Sequence, residues 1–199
     1  GYMRKFKLLW IGALSWALYA CTSSQVYYVD SVTGNDAHKG TDISQPLKTF
    51  DALKNIELKP GDKVLLKRGS TFWGELEISA QGEPENPIVI GAYGEGEKLP
   101  CIVGYDHSLY AVRVYNSNYL TVQDLEIVNT GTKALPKRTG LMVECADFGV
   151  SRNIRINRVV VRDVNGSLVK EEGGGCGIYI VNRGDSIRSR FDSLTIENC

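Results

Sequence analysis

Leu120-Thr121-Val122-Gln123-Asp124-Leu125-Glu126-Ile127-Val128-Asn129 has a near copy in Ile154-Arg155-Ile156-Asn157-Arg158-Val159-Val160-Val161-Arg162-Asp163, an offset of 34 because 154 minus 120 is 34. A third run, Leu194-Thr195-Ile196-Glu197-Asn198, continues the series 35 residues beyond Val159. Ahead of each copy lies another short apolar run: Ala111 to Val114, Gly140 to Val143 and Gly177 to Ile180. The unit is therefore strand, turn, strand, turn, strand, with a loop of variable length. A repeat of this length, with apolar residues alternating along each strand, suits a coil whose inward side chains stack on the same position one turn later. Leu125, Val159 and Leu194 are expected to form one interior ladder, and Ile127, Val161 and Ile196 another. Val122 and Ile156 also point inward on this reading. Stacked copies make every sheet parallel, with neighbouring strands about 4.8 Å apart. Asn129, Asp163 and Asn198 then share one position after a strand, where their side chains can hydrogen-bond along the stack.

The rest of the chain agrees with this arrangement. Val26 to Val29, Val64 to Leu66, a run around Leu76 and Ile78, and Ile88 to Tyr93 read as strands. None is joined to the next by the two-residue Asn-Gly or Asp-Gly turn of a hairpin. Leu47, Phe50, Leu53 and Ile56 recur every three residues and predict a short helix from Pro46 to Ile56. Asp30 to Ser44 is loop chemistry, and its carboxylates Asp30, Asp36 and Asp42 lack the spacing of an EF-hand, so turn formation is their expected work. A leucine-rich repeat needs a shorter period, and a propeller needs four antiparallel strands per unit.

Composition excludes some classes of function. Lys plus Arg and Asp plus Glu each number 23, so no overall basic field draws the chain to nucleic acid. Glycine at 21 residues against 6 prolines, with Val and Ile runs broken by Asn, Asp and Gly, points to short strands and tight turns. Gly173-Gly174-Gly175-Cys176-Gly177 leads into a strand rather than a helix, so it is no phosphate cradle. No Gly-x-Ser-x-Gly elbow is present, and the two histidines, His38 and His107, support neither a hydrolase triad nor a zinc site. Cys101, Cys145, Cys176 and Cys199 read as small apolar residues rather than a disulfide framework.

The front of the chain reads as an export signal. Arg4, Lys5 and Lys7 precede the uncharged stretch Leu8 to Leu18, far shorter than the roughly 20 residues that span a bilayer. It ends in Leu18-Tyr19-Ala20-Cys21, which resembles a bacterial lipobox. On this reading residues 3–20 are a lipoprotein signal peptide, Cys21 carries the lipid, 21–26 is a tether, and 27–199 is the folded domain. Several acyl chains give lasting membrane attachment. The expected location is the outer membrane or the cell surface, on the periplasmic or extracellular side.

With these residues in place, the sequence resembles the bacterial right-handed parallel β-helix proteins, the pectate-lyase-like superfamily. The resemblance rests on Tyr27-Tyr28-Val29, Gly34-Asn35-Asp36, Gly40-Thr41, Pro46 to Phe50, Lys59-Pro60-Gly61-Asp62, Val64 to Gly69, and Pro87-Ile88 through Gly91 to Gly94. It implies an all-β, right-handed parallel β-helix, represented by its N-terminal coils, with a short N-terminal helix capping the open end and further coils beyond Cys199. It also implies a polysaccharide partner. Three activities follow as alternatives: a polysaccharide lyase acting on uronates, favoured as the first reading, a glycoside hydrolase, and a non-catalytic carbohydrate-binding or adhesive module.

A lyase needs a base and a neutralised uronate. The charged loops of the last two coils supply candidates: Lys170, Arg183 and Asp185 for catalysis, with Arg188, Glu171 and Glu172 for substrate, and Ca²⁺ as the one cofactor this chemistry would call on. Tyr105, Tyr110, Tyr115, Phe72 and Trp73 offer flat faces that either stack on sugars or fill the core.

Overall fold

A computed structural model describes residues 23–199. The signal segment 3–20 and Cys21 lie outside the described residues. The domain is all-β and its named strands pair in parallel, in a β-helix-like stack. One face is built from β1 (Val26–Val29), β2 (Lys63–Lys67), β5 (Ile88–Tyr93), the first halves of β8 (Leu120–Asn129) and β10 (Val150–Val164), and the whole of β12 (Arg190–Glu197), side by side in that order. A second face joins β3 (Thr71–Trp73), β6 (Cys101–Val103) and the second halves of β8 and β10. The third is a separate sheet of β4 (Leu76–Ile78), β7 (Tyr110–Tyr115), β9 (Thr139–Ala146) and β11 (Cys176–Arg183).

Strands β8 and β10 serve two faces because each bends at a residue in the left-handed region, Asp124 at φ 55° and Arg158 at φ 52°. Such corners suit Asp and Asn, whose short polar side chains tolerate that conformation. The less tolerant Arg158 is fixed there by a forked pair with Asp124 one coil away, Nε to Oδ1 at 2.7 Å and Nη2 to Oδ2 at 2.9 Å.

Inside the coils, Val64, Ile90, Val122, Ile156 and Ile196 form a ladder in register. The first four are fully buried. Each such side chain contributes about 1.5–3 kcal/mol of burial, which is why a mere alternation of residues fixes the strand face. Val122, Leu125, Ile127, Ile156 and Val159 are buried as the repeat predicts, and Val161 and Leu194 are partly buried against the core. Ile196 departs from expectation at 43% exposure, because β12 is the last strand of the stack among the described residues and is covered from one side.

The register of the third copy also differs from the sequence alignment. Leu194 pairs with Ile154 and Ile196 with Ile156, one corner earlier than the expected Val159 and Val161. Ile154-x-Ile156 and Val159-x-Val161 are nearly identical inward pairs flanking the corner at Arg158, so apolar spacing alone does not distinguish them. The same slip dissolves the supposed Asn129, Asp163 and Asn198 ladder. Asn129 is buried and donates to the carbonyls of Ser108 and Thr139, Asp163 sits at a register shift, and Asn198 donates to Asn157. Amide stacking occurs instead at Asn118, which donates to Gln81 and accepts from the Arg152 N–H, and at Asn165, which exchanges two bonds with Gly131.

The helix expected over Pro46 to Ile56 is a single turn, α1 (Phe50–Leu53). Leu47 bridges Val29 in parallel instead, and Thr49 gives its hydroxyl to Asp36 rather than to the helix N-terminus. The three-residue spacing still reports burial correctly. Leu47, Phe50 and Leu53 are all in the core, and Phe50 stacks on Phe72 with ring centroids 5.6 Å apart. Asp30 and Asp42 accept backbone and hydroxyl hydrogen bonds within their turns, whereas Asp36 accepts them from Lys48 and Thr49 and ties its loop to the segment before α1. The four cysteines among the described residues are free, with Cys101 and Cys145 buried.

Candidate functional site

The outer surface of the third face carries the richest chemistry among the described residues. Alternation turns Leu76 and Ile78 of β4, Val112 and Val114 of β7, Leu141 and Val143 of β9, and Ile178 and Ile180 of β11 inward. Parallel register then aligns Glu77, Arg113, Met142 and Tyr179 as one outward row, with Tyr115, Glu144 and Val181 as the next.

Arg113 sits between two carboxylates contributed by the coils on either side. It donates to Glu77 Oε2 at 2.9 Å, and to Glu144 Oε2 through Nε at 3.0 Å and Nη2 at 2.6 Å. Its guanidinium lies 4.2 Å from the Tyr115 ring centroid and 5.5 Å from that of Tyr110, within cation–π range. Tyr110 donates its hydroxyl to Glu77 at 2.7 Å, and Arg183 closes the chain by donating to Glu144 Oε1. Burial pushes the Glu77 carboxyl up, but the hydrogen bonds from Tyr110 and Arg113 outweigh it and hold the group below the usual carboxylate range. Burial raises the Tyr110 hydroxyl, and Glu77 adds to that shift. For Arg113 the paired carboxylates prevail over desolvation and hold it more firmly protonated. A Glu77 carboxyl held ionised in this way has no proton ready to give.

A groove of about 620 Å³ runs along β11, lined by Lys137, Met142, Gly173, Gly174, Tyr179 and Arg183, among others. Tyr179 is 44% exposed in it. This is where the charged loops expected from sequence fall. Lys170, Glu171 and Glu172 form a short 3-10 turn just before β11, while Arg183 ends the strand and Asp185 and Arg188 follow it. The eight residues of β11 separate the two groups by roughly 23 Å at ~3.3 Å per residue. They therefore flank opposite ends of one groove and do not converge. The loops expected on the last two coils are thus successive corners of one coil, before and after the same strand.

Arg183 is engaged with Glu144, and Glu172 accepts from Ser167. The side chains of Lys170, Glu171, Asp185 and Arg188 are exposed and make no hydrogen bond to another described residue. Glu77, Arg113, Glu144 and Tyr110 were not singled out as charged partners from sequence. Their signal was a charged residue inside an otherwise apolar strand, Arg113 in Ala111 to Val114 and Glu144 directly after Gly140 to Val143. Among the described residues no group of three or more His, Cys, Asp or Glu side chains converges as metal ligands.

A stack of parallel coils with an aromatic and charged groove along one face is a scaffold suited to holding extended polar ligands, and the chain has homologues among carbohydrate-active enzymes. The lacto-N-biosidase of Bifidobacterium longum subsp. longum is 26% identical over 211 residues, covering 80% of this chain and 13% of that protein. The crystal structures of the GH136 lacto-N-biosidase from Eubacterium ramulus, native and selenomethionine forms, match with a TM-score of 0.76 and 31% identity. That match covers 88% of this chain and 34% of the solved one, so the chain spans about a third of that relative and a smaller share of the curated one. An alginate lyase from Paenibacillus sp. str. FPU-7 aligns over 56% of the chain at a TM-score of 0.39, too low to speak for a common fold. No protein-family model matches.

Proposed function

We propose that the chain forms the first coils of a right-handed parallel β-helix glycoside hydrolase of lacto-N-biosidase type, with α1 closing one end of its core. The observation that carries this reading is the 31% identity and 0.76 TM-score along 88% of the chain with a solved lacto-N-biosidase. Hydrolysis thereby takes the place of uronate elimination as the preferred reaction, since the similarity that favours a lyase is far weaker. Glycoside hydrolysis uses two carboxyl groups about 5 to 10 Å apart, one of them protonated at the start. Glu77 and Glu144 are both tied to Arg113, so this chain contributes binding surface, and the proposal assigns the acid and its partner to the part of the relatives' length that the match does not span.

The lipid on Cys21 and the exported location belong to the same proposal. Attachment at the membrane keeps the groove in the compartment where glycans are met. Mass spectrometry of the native protein checks it: an acylated N-terminal Cys21 is expected, and an unmodified N-terminus elsewhere removes the anchor.

The reaction itself is tested on the complete protein with an aryl lacto-N-bioside and with uronate polymers, each with and without Ca²⁺. Release of the aryl alcohol, with no unsaturated uronate absorbance and no response to Ca²⁺, is the expected result. Unsaturated product from the uronate polymers restores the lyase with its cation, and no turnover of either substrate favours the binding module.

A further inference from the structure

Strand β3 alternates so that Phe72 enters the core while Thr71 and Trp73 face outward, leaving the indole of Trp73 65% exposed. A single exposed aromatic is ordinary. Here, however, the backbone is arranged around it. Gly74 follows at φ +126°, a conformation side chains rarely adopt, and a Cβ at that position would stand 3.2 Å from the Tyr105 hydroxyl and 3.4 Å from two of its ring carbons. The glycine lets the Tyr105 ring settle against the chain directly beside Trp73. Tyr105 is fixed in turn by Ser108, whose hydroxyl accepts its N–H and whose own N–H donates to its carbonyl, both at 2.9 Å. His107 stacks on the Tyr105 ring with centroids 5.7 Å apart and planes 18° from parallel.

Trp73 and Tyr105 line one cavity of about 610 Å³, a size suited to a small ligand. Its remaining walls include Ser31, Lys48, Thr49 and Thr71, and its lining holds one cation and no carboxylate. Flat apolar faces beside hydroxyls, without acidic groups, fit a neutral pyranose: the C–H face of the ring lies on the indole while its hydroxyls meet the polar walls. A cationic ligand finds no counter-charge there.

We propose that Trp73 and Tyr105 form a saccharide-binding site separate from the groove along β11, taking a neutral oligosaccharide. The proposal rests on the reading of the chain as part of a carbohydrate-acting protein for the class of ligand, and on the geometry around Gly74 for its place.

Hydroxyl-radical footprinting of the complete protein, with lacto-N-biose as the probe, localises the contact, and oxidation of a free reference peptide in the same solution corrects for scavenging by the sugar. Oxidation of both Trp73 and Tyr105 is expected to fall several-fold on addition of the disaccharide. In calorimetric titration, Trp73→Ala should weaken the protected site about tenfold and Trp73→Phe, which keeps a flat ring, should lose less. Unchanged oxidation at Trp73 overturns the proposal, as does a Trp73 already unreactive without sugar, since the platform is then covered in the whole protein. If hydrolysis is absent but protection at Trp73 is seen, the hydrolase reading fails alone; normal hydrolysis without protection fails this site alone.

Discussion

Replacing Glu144 with alanine tests whether the third face is held together by charge. The carboxylate is 4% exposed and takes two hydrogen bonds from Arg113 and one from Arg183. Charge-assisted bonds contribute roughly 1.5–3 kcal/mol each when desolvated, and stripping one partner from a buried pair costs roughly 3–5 kcal/mol. Two features reduce that figure. Arg113 is 21% exposed and retains Glu77, and Arg183 is 61% exposed, so water screens its share. We therefore expect Glu144→Ala to cost about 2–4 kcal/mol, while Arg183→Ala costs under about 1 kcal/mol. Glu144→Gln, which keeps the volume, should fall between them. Urea unfolding reads all three as shifts of midpoint at constant slope. A double-mutant cycle of Glu144 with Arg113 should show coupling near the upper part of the ~0.5–3 kcal/mol range for contacting residues. If Glu144→Ala costs no more than Arg183→Ala, the carboxylate is not the keystone of this face and the reasoning is refuted.

Ile156→Ala should destabilise by ~2–5 kcal/mol and Ile196→Ala by under about 1.5 kcal/mol, because the same ladder is fully buried at the first and 43% exposed at the second; equal effects in urea unfolding would mean that Ile196 is covered. Gly34→Ala should cost more than about 2 kcal/mol, since the added Cβ would stand 2.1 Å from the Leu47 carbonyl oxygen and backbone must move; an unshifted thermal midpoint rejects the close approach. Asp30 gives a pH dependence. Burial pushes its carboxyl up, but bonds from Thr33, Val32 and Ser70 hold it below the usual range. A depressed folded value means stability present above the unfolded value of about 3.9 and lost as pH falls through the folded one. The urea midpoint should therefore drop in acid, and Asp30→Asn should flatten that drop.

Much of this architecture was legible because inward apolar residues recur one coil later with little tolerance for a slip. The offset between Leu120 and Ile154 gave the pairing of β8 with β10 residue for residue along Leu120 to Val128. It failed at β12, where the pairs on either side of a corner are chemically alike and the deciding feature is a backbone angle at Arg158 and Asn198, both left-handed. Nothing in the side chain of an arginine announces that conformation. The helix over Pro46 to Ile56 failed for a related reason. A three-residue apolar period records which side chains are buried, and one helical turn between extended segments buries the same ones.

The charged network on the third face was less legible than the fold, because its contacts join residues 31 to 39 apart in sequence. Lys170, Asp185 and Arg188 drew attention as charged loop residues, but loops before and after one strand point to opposite ends of it. Arg113, by contrast, meets Glu77 in register on one neighbouring strand and Glu144 diagonally, one outward position further along the other. On such a scaffold a chemical group is assembled across coils, each contributing one outward residue, so contiguous motifs do not form. That has a consequence for where acid chemistry can sit. A carboxyl group that must keep its proton near neutral pH cannot have an arginine at the matching outward position of the next coil, because the pair would hold it ionised, as Arg113 does for Glu77. The catalytic acid of a hydrolase built on these coils is therefore to be sought at an outward Asp or Glu that no arginine reaches from the neighbouring coils, in register or diagonally, a criterion that Glu77 and Glu144 both fail.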